Sequence, residues 1–178
     1  MNKLMLFFLL VTSTYIVSAL KVDLETQIDP LMDRVIEWRH DIHKYPELSN
    51  REFRTAKKVE DHLLSLGIEV ETKIAYTGVV GFIRGALPGP TIALRADMDA
   101  LPVVEKTGLS FASTETTEYL GQDVGIMHAC GHDAHVAILM GVAEFLSKNR
   151  DKLKGNIMLI FQPAEEGPPE GELSLIHI

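Results

Sequence analysis

Two short segments place metal-ligating side chains directly beside apolar runs, and this placement limits what the chain can fold into. The first, residues 128–135, reads His-Ala-Cys-Gly-His-Asp-Ala-His and precedes an apolar helical pattern. The second, residues 161–167, reads Phe-Gln-Pro-Ala-Glu-Glu-Gly and follows an apolar strand pattern. A thiol, several imidazoles and two adjacent carboxylates at the edges of buried elements suit a transition-metal site with one carboxylate left to act on water.

Length and composition indicate one sizeable globular domain. The chain has 178 residues, of which 46% are hydrophobic and 24% charged, as in ordinary globular proteins. Its net charge of −8 argues against nucleic acid as the main partner, because no basic patch offsets phosphate charge. The single cysteine, Cys130, excludes a disulfide within the chain.

The N-terminus has the pattern of a secretory signal peptide. Lys3 is followed by an apolar run from Leu4 to Val17, and small residues at Val17 and Ala19 indicate cleavage after residue 19. The alternative, an uncleaved anchor, is disfavoured because the run is short for a membrane span, and no second stretch is apolar enough for one. We therefore expect an exported protein, periplasmic, lumenal or extracellular, with no membrane contact after cleavage.

Apolar spacing predicts two helices in the first third of the chain. The first is expected to begin near Asp29, with Pro30 in its first turn, and to end at Tyr45 and Pro46. A capping box at residues 49–52 is expected to open the second helix, and Gly67 to end it.

Strand patterns dominate the rest. We expect a turn at 87–90, a buried strand at 91–96, a loop at 101–125 and a buried helix at 134–146. Further strands are expected at residues 68–72, 79–84 and 156–161. Helices followed by strands that alternate with a helix indicate a layered α/β domain with a mixed sheet.

Cys130 and His132 are the first candidate metal ligands. Gly131 between them allows a tight turn, so both side chains can converge on one point. Thiolate and imidazole are strong ligands for zinc and related ions. Placed at the start of a buried helix, the cysteine is expected to gain thiolate character from the helix dipole.

Four carboxylates complete the candidate site. Glu165 and Glu166 follow a buried strand, where adjacent residues of an extended segment point in opposite directions, so one can bind metal while the other acts as a general base. Asp97 and Asp99 are two residues apart and are expected to share a face, from which one orients a ligand histidine.

The other histidines receive weaker assignments. His135 is a supporting residue of the site, although for it and for His128 a backbone-satisfied structural histidine is the commoner case. His40 and His43 are interpreted as structural or surface residues, and His62 as a surface residue.

At this point the motifs resemble a known family. Residues 95–102, 127–135 and 161–167 look like those of the metal-dependent amidohydrolases of the aminoacylase, hippurate hydrolase and indole-acetyl-amino-acid hydrolase group. Residues 39–49 resemble the N-terminal helix motif of that group, and the resemblance extends over residues 28–172.

The resemblance implies a function. Such enzymes hydrolyse the amide bond of N-acyl amino acids or related conjugates, and their α/β/α catalytic domain, of zinc-peptidase type, is interrupted by a smaller lid or dimerisation domain. By the same resemblance, Cys130, His132 and Glu166 bind a pair of divalent ions, manganese or zinc with nickel or cobalt as alternatives. Glu165 is then the general base that activates the metal-bound water. A small-molecule substrate and a homodimer formed through the lid domain are the partners it implies.

The sequence departs from the family pattern in one respect. Family members are roughly twice as long, with further histidine ligands downstream, and residues 173–178 do not fit the expected continuation. We therefore expect an N-terminal part of the catalytic domain over 28–172, incomplete at its C-terminus and inactive alone, with a foreign tail. Two alternatives remain open: a thiol hydrolase with Cys130 as nucleophile and His132 or His128 as base, and an exported metal-binding domain without activity.

Overall fold

The computed structural model describes the backbone of residues 3–167 and the side chains of residues 24–167. The chain divides into two units, Met1–Asp33 and Arg34–Ile178, and the described part of the first is helical. The side chains of the predicted signal peptide and all of the predicted foreign tail at 173–178 lie outside the described residues. Within the described part of the chain, no helix combines the length and the apolar character needed to cross a bilayer.

Helix α1 covers Lys3–Lys44, so the predicted start at Asp29 is wrong. Pro30 lies inside the helix rather than in its first turn. Its fixed φ is compatible with helical backbone, and the helix loses one backbone hydrogen bond there. The predicted end before Tyr45 and Pro46 is confirmed.

The described part of the second unit, up to residue 167, contains a four-stranded sheet, a two-stranded hairpin and two further helices. The helices are α2 (Phe53–Ser65) and α3 (His132–Lys148), and Arg150–Lys152 forms a short 3-10 turn. The strands are β1 (Glu69–Ile74), β2 (Gly78–Arg84), β3 (Leu87–Asp97), β4 (Thr116–Tyr119), β5 (Gln122–Gly125) and β6 (Lys154–Gln162).

The sheet is mixed, as the sequence predicted. Its strand order is β1-β2-β6-β3, with antiparallel pairing of β1 with β2 and of β2 with β6, and parallel pairing of β3 with β6. Alternate residues of β6 bury one face against the helices. The core on that face includes Ile42, Val59, Leu63, Val136, Met140, Leu159 and Phe161.

The prediction for β3 is partly wrong. Residues 87–90 belong to the strand rather than to a turn, with a register irregularity between Leu87 and Thr91. The strand lies at the edge of the sheet, where a proline without an N–H is tolerated. For the same reason the predicted buried run is largely exposed, and within it only Ala96 is buried. The region 101–125, predicted as loop, contains the hairpin β4–β5.

The sequence predicted the C-terminal end of helix α2 correctly but not the interactions at its N-terminal end. No side-chain capping bond is made by the residue before the helix, so the predicted capping box is absent. Instead the carboxylate of Glu47 accepts the backbone N–H groups of Arg54 and Thr55, at 2.9 and 2.8 Å. At the other end Gly67 has φ +65°, and N–H groups of Gly67 and Ile68 bond back into the last turn as in a Schellman motif.

Candidate metal centre

The turn before α3 orients the imidazole of His132. Gly131 adopts φ +88°, a left-handed conformation that favours glycine, and His132 is the first residue of the helix. The ring Nδ1 of His132 lies 2.9 Å from the backbone oxygen of Asp99. This contact occupies Nδ1 and directs the other ring nitrogen, Nε2, toward Glu165, whose Oε2 lies 3.8 Å away.

Asp99 is the buried centre of this arrangement. Its Oδ1 accepts the backbone N–H of Glu165 at 3.1 Å, and its Oδ2 accepts the N–H of Glu166 at 2.9 Å and the hydroxyl of Ser49 at 2.7 Å. Burial by itself raises the pKa of Asp99, but the hydrogen bonds from His132, Ser49 and the two N–H groups hold that pKa below its ordinary value. The carboxylate therefore ties both candidate acids to the His132 turn.

Three of the predicted ligands converge. One ligand atom from each of Cys130, His132 and Glu166 lies within 4.8 Å of the other two. Glu165 and Glu166 are not in an extended segment, as had been expected, but in a bend that follows Ala164, whose φ is +51°. The bend turns both carboxylates toward the same site, which alternating strand geometry does not allow.

The acidic surroundings of Cys130 contradict the expected thiolate character. A hydrogen bond to Glu166, with burial and the charges of Glu165 and Asp97, raises the pKa of the thiol to about 11. For His132, burial alone lowers the pKa, but the contacts with Asp99 prevail and raise it to about 8. The hydrogen bonds and negative charges of these carboxylates thus favour the protonated forms of Cys130 and His132.

β3 ends at Asp97 and Asp99 lies beyond it, yet both carboxylates lie beside the ring of His132, as the predicted shared face requires. Asp97 accepts a 2.7 Å hydrogen bond from Arg95, and its Oδ2 lies 3.9 Å from Nδ1 of His135. Asp97, His132 and His135 form a second convergent group. This second group shares His132 with the group formed by Cys130, His132 and Glu166. Its carboxylate, that of Asp97, already pairs with Arg95, and the side chain of His135 is 54% exposed.

Two other histidines, His128 and His62, differ from their interpretations, whereas His40 agrees with its structural interpretation. His128 is buried, and neither ring nitrogen has a hydrogen-bond partner among the described residues, so it is not satisfied by backbone. Its burial lowers its pKa to about 4. His62, expected at the surface, is buried and contacts the Met140 carbonyl oxygen at 3.0 Å. His40 stacks on the ring of Phe111.

His43 is structural, in agreement with one of its two interpretations. Its ring lies between the carboxylates of Asp133, at 2.9 Å, and Glu105, at 3.1 Å. Arg39 also donates to Asp133, the residue after His132. The first helix is thereby linked to the first turn of α3.

Sequence reasoning missed two residues that contact this region, Ser49 and Glu52. Both had been assigned to the capping box of α2. Ser49 instead donates to Asp99, and Glu52 accepts the backbone N–H of Ala164 at 2.8 Å. Nothing in the local pattern distinguishes these contacts from a helix cap, since the partners are far away in the chain.

The comparisons with known proteins agree with the resemblance. Residues 93–177 match peptidase family M20/M25/M40, so the chain carries a domain of this family. A thermostable carboxypeptidase 1 from Saccharolobus solfataricus is 52% identical over 144 residues, covering 80% of this chain and 35% of the relative. An N-acetyl-L-cysteine deacetylase from Bacillus subtilis is 48% identical over 139 residues, covering 78% and 32%.

A solved structure shares the fold. The YxeP protein of Bacillus subtilis, described as a dinuclear metal-binding peptidase of the M20 family, superposes with a TM-score of 0.69 at 45% identity. The match covers 78% of this chain and 36% of that one. The predicted family and fold class are therefore confirmed. The chain spans about a third of the length of the curated relatives, 35% and 32%.

Proposed function

We propose that this chain forms part of a metal-dependent hydrolase that cleaves the amide bond of N-acyl amino acids or related amino-acid conjugates. The observation that carries the proposal is the convergence of Cys130, His132 and Glu166 within 4.8 Å, with Glu165 beside them. The relatives' described activities, carboxypeptidase and N-acetyl-L-cysteine deacetylase, both concern an amide bond next to an amino acid.

The donor set fits a divalent cation of the borderline type. Cys130, His132 and Glu166 offer one sulfur, one nitrogen and one oxygen ligand, a combination typical of zinc and its neighbours rather than of magnesium or calcium. Manganese or zinc, with nickel or cobalt as alternatives, are the proposed ions, two for a complete site. When bound, such ions polarise the amide carbonyl and acidify a water molecule.

Each residue of the site then has a definite role. Asp99 fixes the ring of His132 and the backbone of the Glu165–Glu166 bend, so the donors are held in place before any cation arrives. The Glu165 side chain is 42% exposed, which leaves its carboxylate accessible to water and substrate. Its carboxylate oxygen accepts the proton of the attacking water and passes it to the leaving amine nitrogen.

The geometry disfavours Cys130 as a nucleophile. A nucleophilic cysteine needs a lowered pKa and positive surroundings, whereas carboxylates surround this thiol and raise its pKa to about 11. Chelator treatment separates the two hypotheses: a metal hydrolase loses activity and regains it with manganese or zinc, and a thiol hydrolase is insensitive. An exported metal-binding domain without activity predicts metal binding and no turnover in the longer protein.

The decisive experiment replaces Glu165 by glutamine in the longer protein of which this chain is proposed to form part. We expect turnover of N-acetyl amino acids to fall by about 10²- to 10⁴-fold, the usual contribution of a general base. Metal content, measured by elemental analysis, should stay near that of the unmodified protein, because Glu165 is not a proposed ligand. Glu71→Gln, an exposed carboxylate on β1, is the matched control. Full turnover in E165Q would contradict the assigned base.

Two further proposals concern the chain as a whole. We propose that residues 1–19 direct export and are removed, which N-terminal sequencing of the mature protein tests.

We also propose that the 178-residue chain alone lacks activity, since three ligands do not complete a two-metal site. Measurable amide hydrolysis by the chain alone would contradict this.

A further inference from the structure

The backbone N–H groups of three consecutive residues, Ala164 to Glu166, donate hydrogen bonds to two buried carboxylates. Ala164 donates to Glu52 Oε1 at 2.8 Å, while Glu165 and Glu166 donate to the two oxygens of Asp99 at 3.1 and 2.9 Å. Asp99 already belongs to the site through His132. Glu52 contacts neither a candidate ligand nor the candidate base, and the function proposed above leaves it without a task.

The backbone that Glu52 holds is strained. Ala164 is buried, only 3% exposed, and has φ +51°, a left-handed conformation that is unfavourable for residues with a Cβ. Strain of this kind persists where the surroundings determine the conformation, and it tends to occur at functional turns. The strained residue directly precedes Glu165, so its conformation sets the direction in which both acids leave the sheet.

Glu52 itself is held rigidly. It is fully buried, and its second oxygen accepts the hydroxyl of Thr77 at 2.6 Å. Thr77 directly precedes β2, where a Cβ at Gly78 would come within 3.1 Å of the ring of Pro163. The start of α2, the start of β2 and the end of β6 therefore meet at this carboxylate. Burial raises the pKa of Glu52, and its hydrogen bonds counteract that effect.

We infer that Glu52 is a positioning residue: by holding the Ala164 amide and its left-handed conformation, it aims Glu165 and Glu166 at Cys130 and His132. The inference rests on the proposed function, because it assigns Glu52 a role in the same metal centre. A purely structural role would stabilise the fold without changing how the two acids are presented. Metal affinity and stability therefore separate the two roles.

The test uses the 178-residue chain and cobalt(II), whose thiolate-to-metal absorption reports binding at Cys130. We expect Glu52→Ala to weaken cobalt binding by about tenfold or more, as is usual when a residue that supports a metal ligand is lost. Glu52→Gln retains an oxygen for the Ala164 N–H and an amide that can donate to Thr77, so we expect binding within about twofold of the unmodified chain.

Glu144→Ala is the matched control. Glu144 is also a buried acid, 2% exposed, but its partners are Arg34 and Lys148 and it makes no contact with the candidate centre. We expect this variant to keep its cobalt affinity. If E52A is too unstable to measure, Thr77→Val removes only the hydroxyl that orients Glu52 and should weaken binding about two- to fivefold.

Hydrogen exchange at residues 164–166 gives a readout that needs no metal. Exchange should accelerate in E52A and stay slow in E52Q and E144A. The positioning role is overturned if folded E52A retains full cobalt affinity, if E144A weakens binding equally, or if exchange at Ala164 is unchanged. Absence of cobalt binding in the unmodified chain, with exchange still dependent on Glu52, would instead contradict the proposed metal centre and leave Glu52 with a structural role only.

Discussion

Two buried carboxylates in the second unit, Asp99 and Glu144, have contrasting partners. Their exposures are 1% and 2%. Asp99 is satisfied by two backbone N–H groups, a hydroxyl and an imidazole, all anchored in the fold. Glu144 is paired through Oε1 with Arg34 and Lys148, whose side chains are 50% and 62% exposed, while its Oε2 has no hydrogen-bond partner among the described residues.

The contrast shows how the same residue type serves two purposes. If Glu144 is removed, its two cationic partners can turn to water, so little remains unsatisfied. If Asp99 is removed, the donors it leaves behind cannot reach solvent without moving the backbone that carries them. A carboxylate with fixed backbone donors therefore sets geometry, and one with mobile cations mainly neutralises charge.

The largest expected effect comes from replacing each carboxylate by its amide. Asp99→Asn turns one acceptor oxygen into a donor that faces another donor, and we expect it to lower the free energy of unfolding by about 2–3 kcal/mol. Glu144→Gln keeps an acceptor for its cations and should cost about 1 kcal/mol or less. Urea denaturation of both variants measures the difference. Equal losses would remove the distinction between the two carboxylates.

A second comparison uses two glycines with left-handed backbone. Gly131 and Gly67 have φ of +88° and +65°, and a Cβ at either would meet no atom within 4 Å. Alanine at either position should therefore lower the free energy of unfolding by about 1 kcal/mol through backbone strain alone. Cobalt affinity should fall only in G131A, because Cys130 and His132 flank that glycine. Unequal stability losses, or weaker binding in G67A, would contradict this.

The smallest effect concerns pH, because His62 and Asp99 change the stability of the protein in different pH ranges. Burial lowers the pKa of His62 below 6.5, so below pH 6.5 the unfolded chain binds a proton that the folded chain does not, and stability falls with acidification. His62→Gln retains a donor for the Met140 carbonyl and should reduce this loss; the part that remains comes from His128, whose pKa burial lowers to about 4. Stability measured at pH 7 and pH 5.5 in both chains tests the sign.

Asp99 affects the stability of the protein at lower pH than His62. Its folded pKa lies below the ordinary 3.8, so its stabilisation is present above pH 3.8 and is lost as pH falls through the lower folded value. The stability difference between the unmodified chain and D99N should therefore hold between pH 6 and pH 5 and shrink below pH 3.8. Above pH 6.5 it should also decrease, because Asp99 raises the pKa of His132 to about 8 and that stabilisation is lost as His132 loses its proton. A difference that shrinks as the pH falls from 6 to 5 would contradict the assigned cause.

Features that depend on neighbours in the chain were predicted well. The helix stop at Gly67, the buried strand β6 and the convergence of Cys130 with His132 all follow from spacing and from the conformational freedom of glycine. The mixed sheet with its helices followed from the order of the patterns. Resemblance then identified the family without any coordinates.

The errors fall where the answer depends on distant partners. The carboxylate of Glu52 reads as part of a helix cap, yet its partner Ala164 lies 112 residues away. His62 has the sequence context of a surface residue, but the packing of α2 on α3 buries it. The thiol of Cys130 lies before a helix, and the carboxylates of the bend, more than thirty residues further on, decide its charge.

The amino-acid sequence by itself therefore determined which ligand chemistries this protein holds, because residue type and local turn geometry are properties of neighbouring residues. Only the tertiary structure decided which carboxylates accept backbone N–H groups and which is paired with cations. That division depends on burial and on the donors that each carboxylate meets, and both come from segments that fold together from remote parts of the chain.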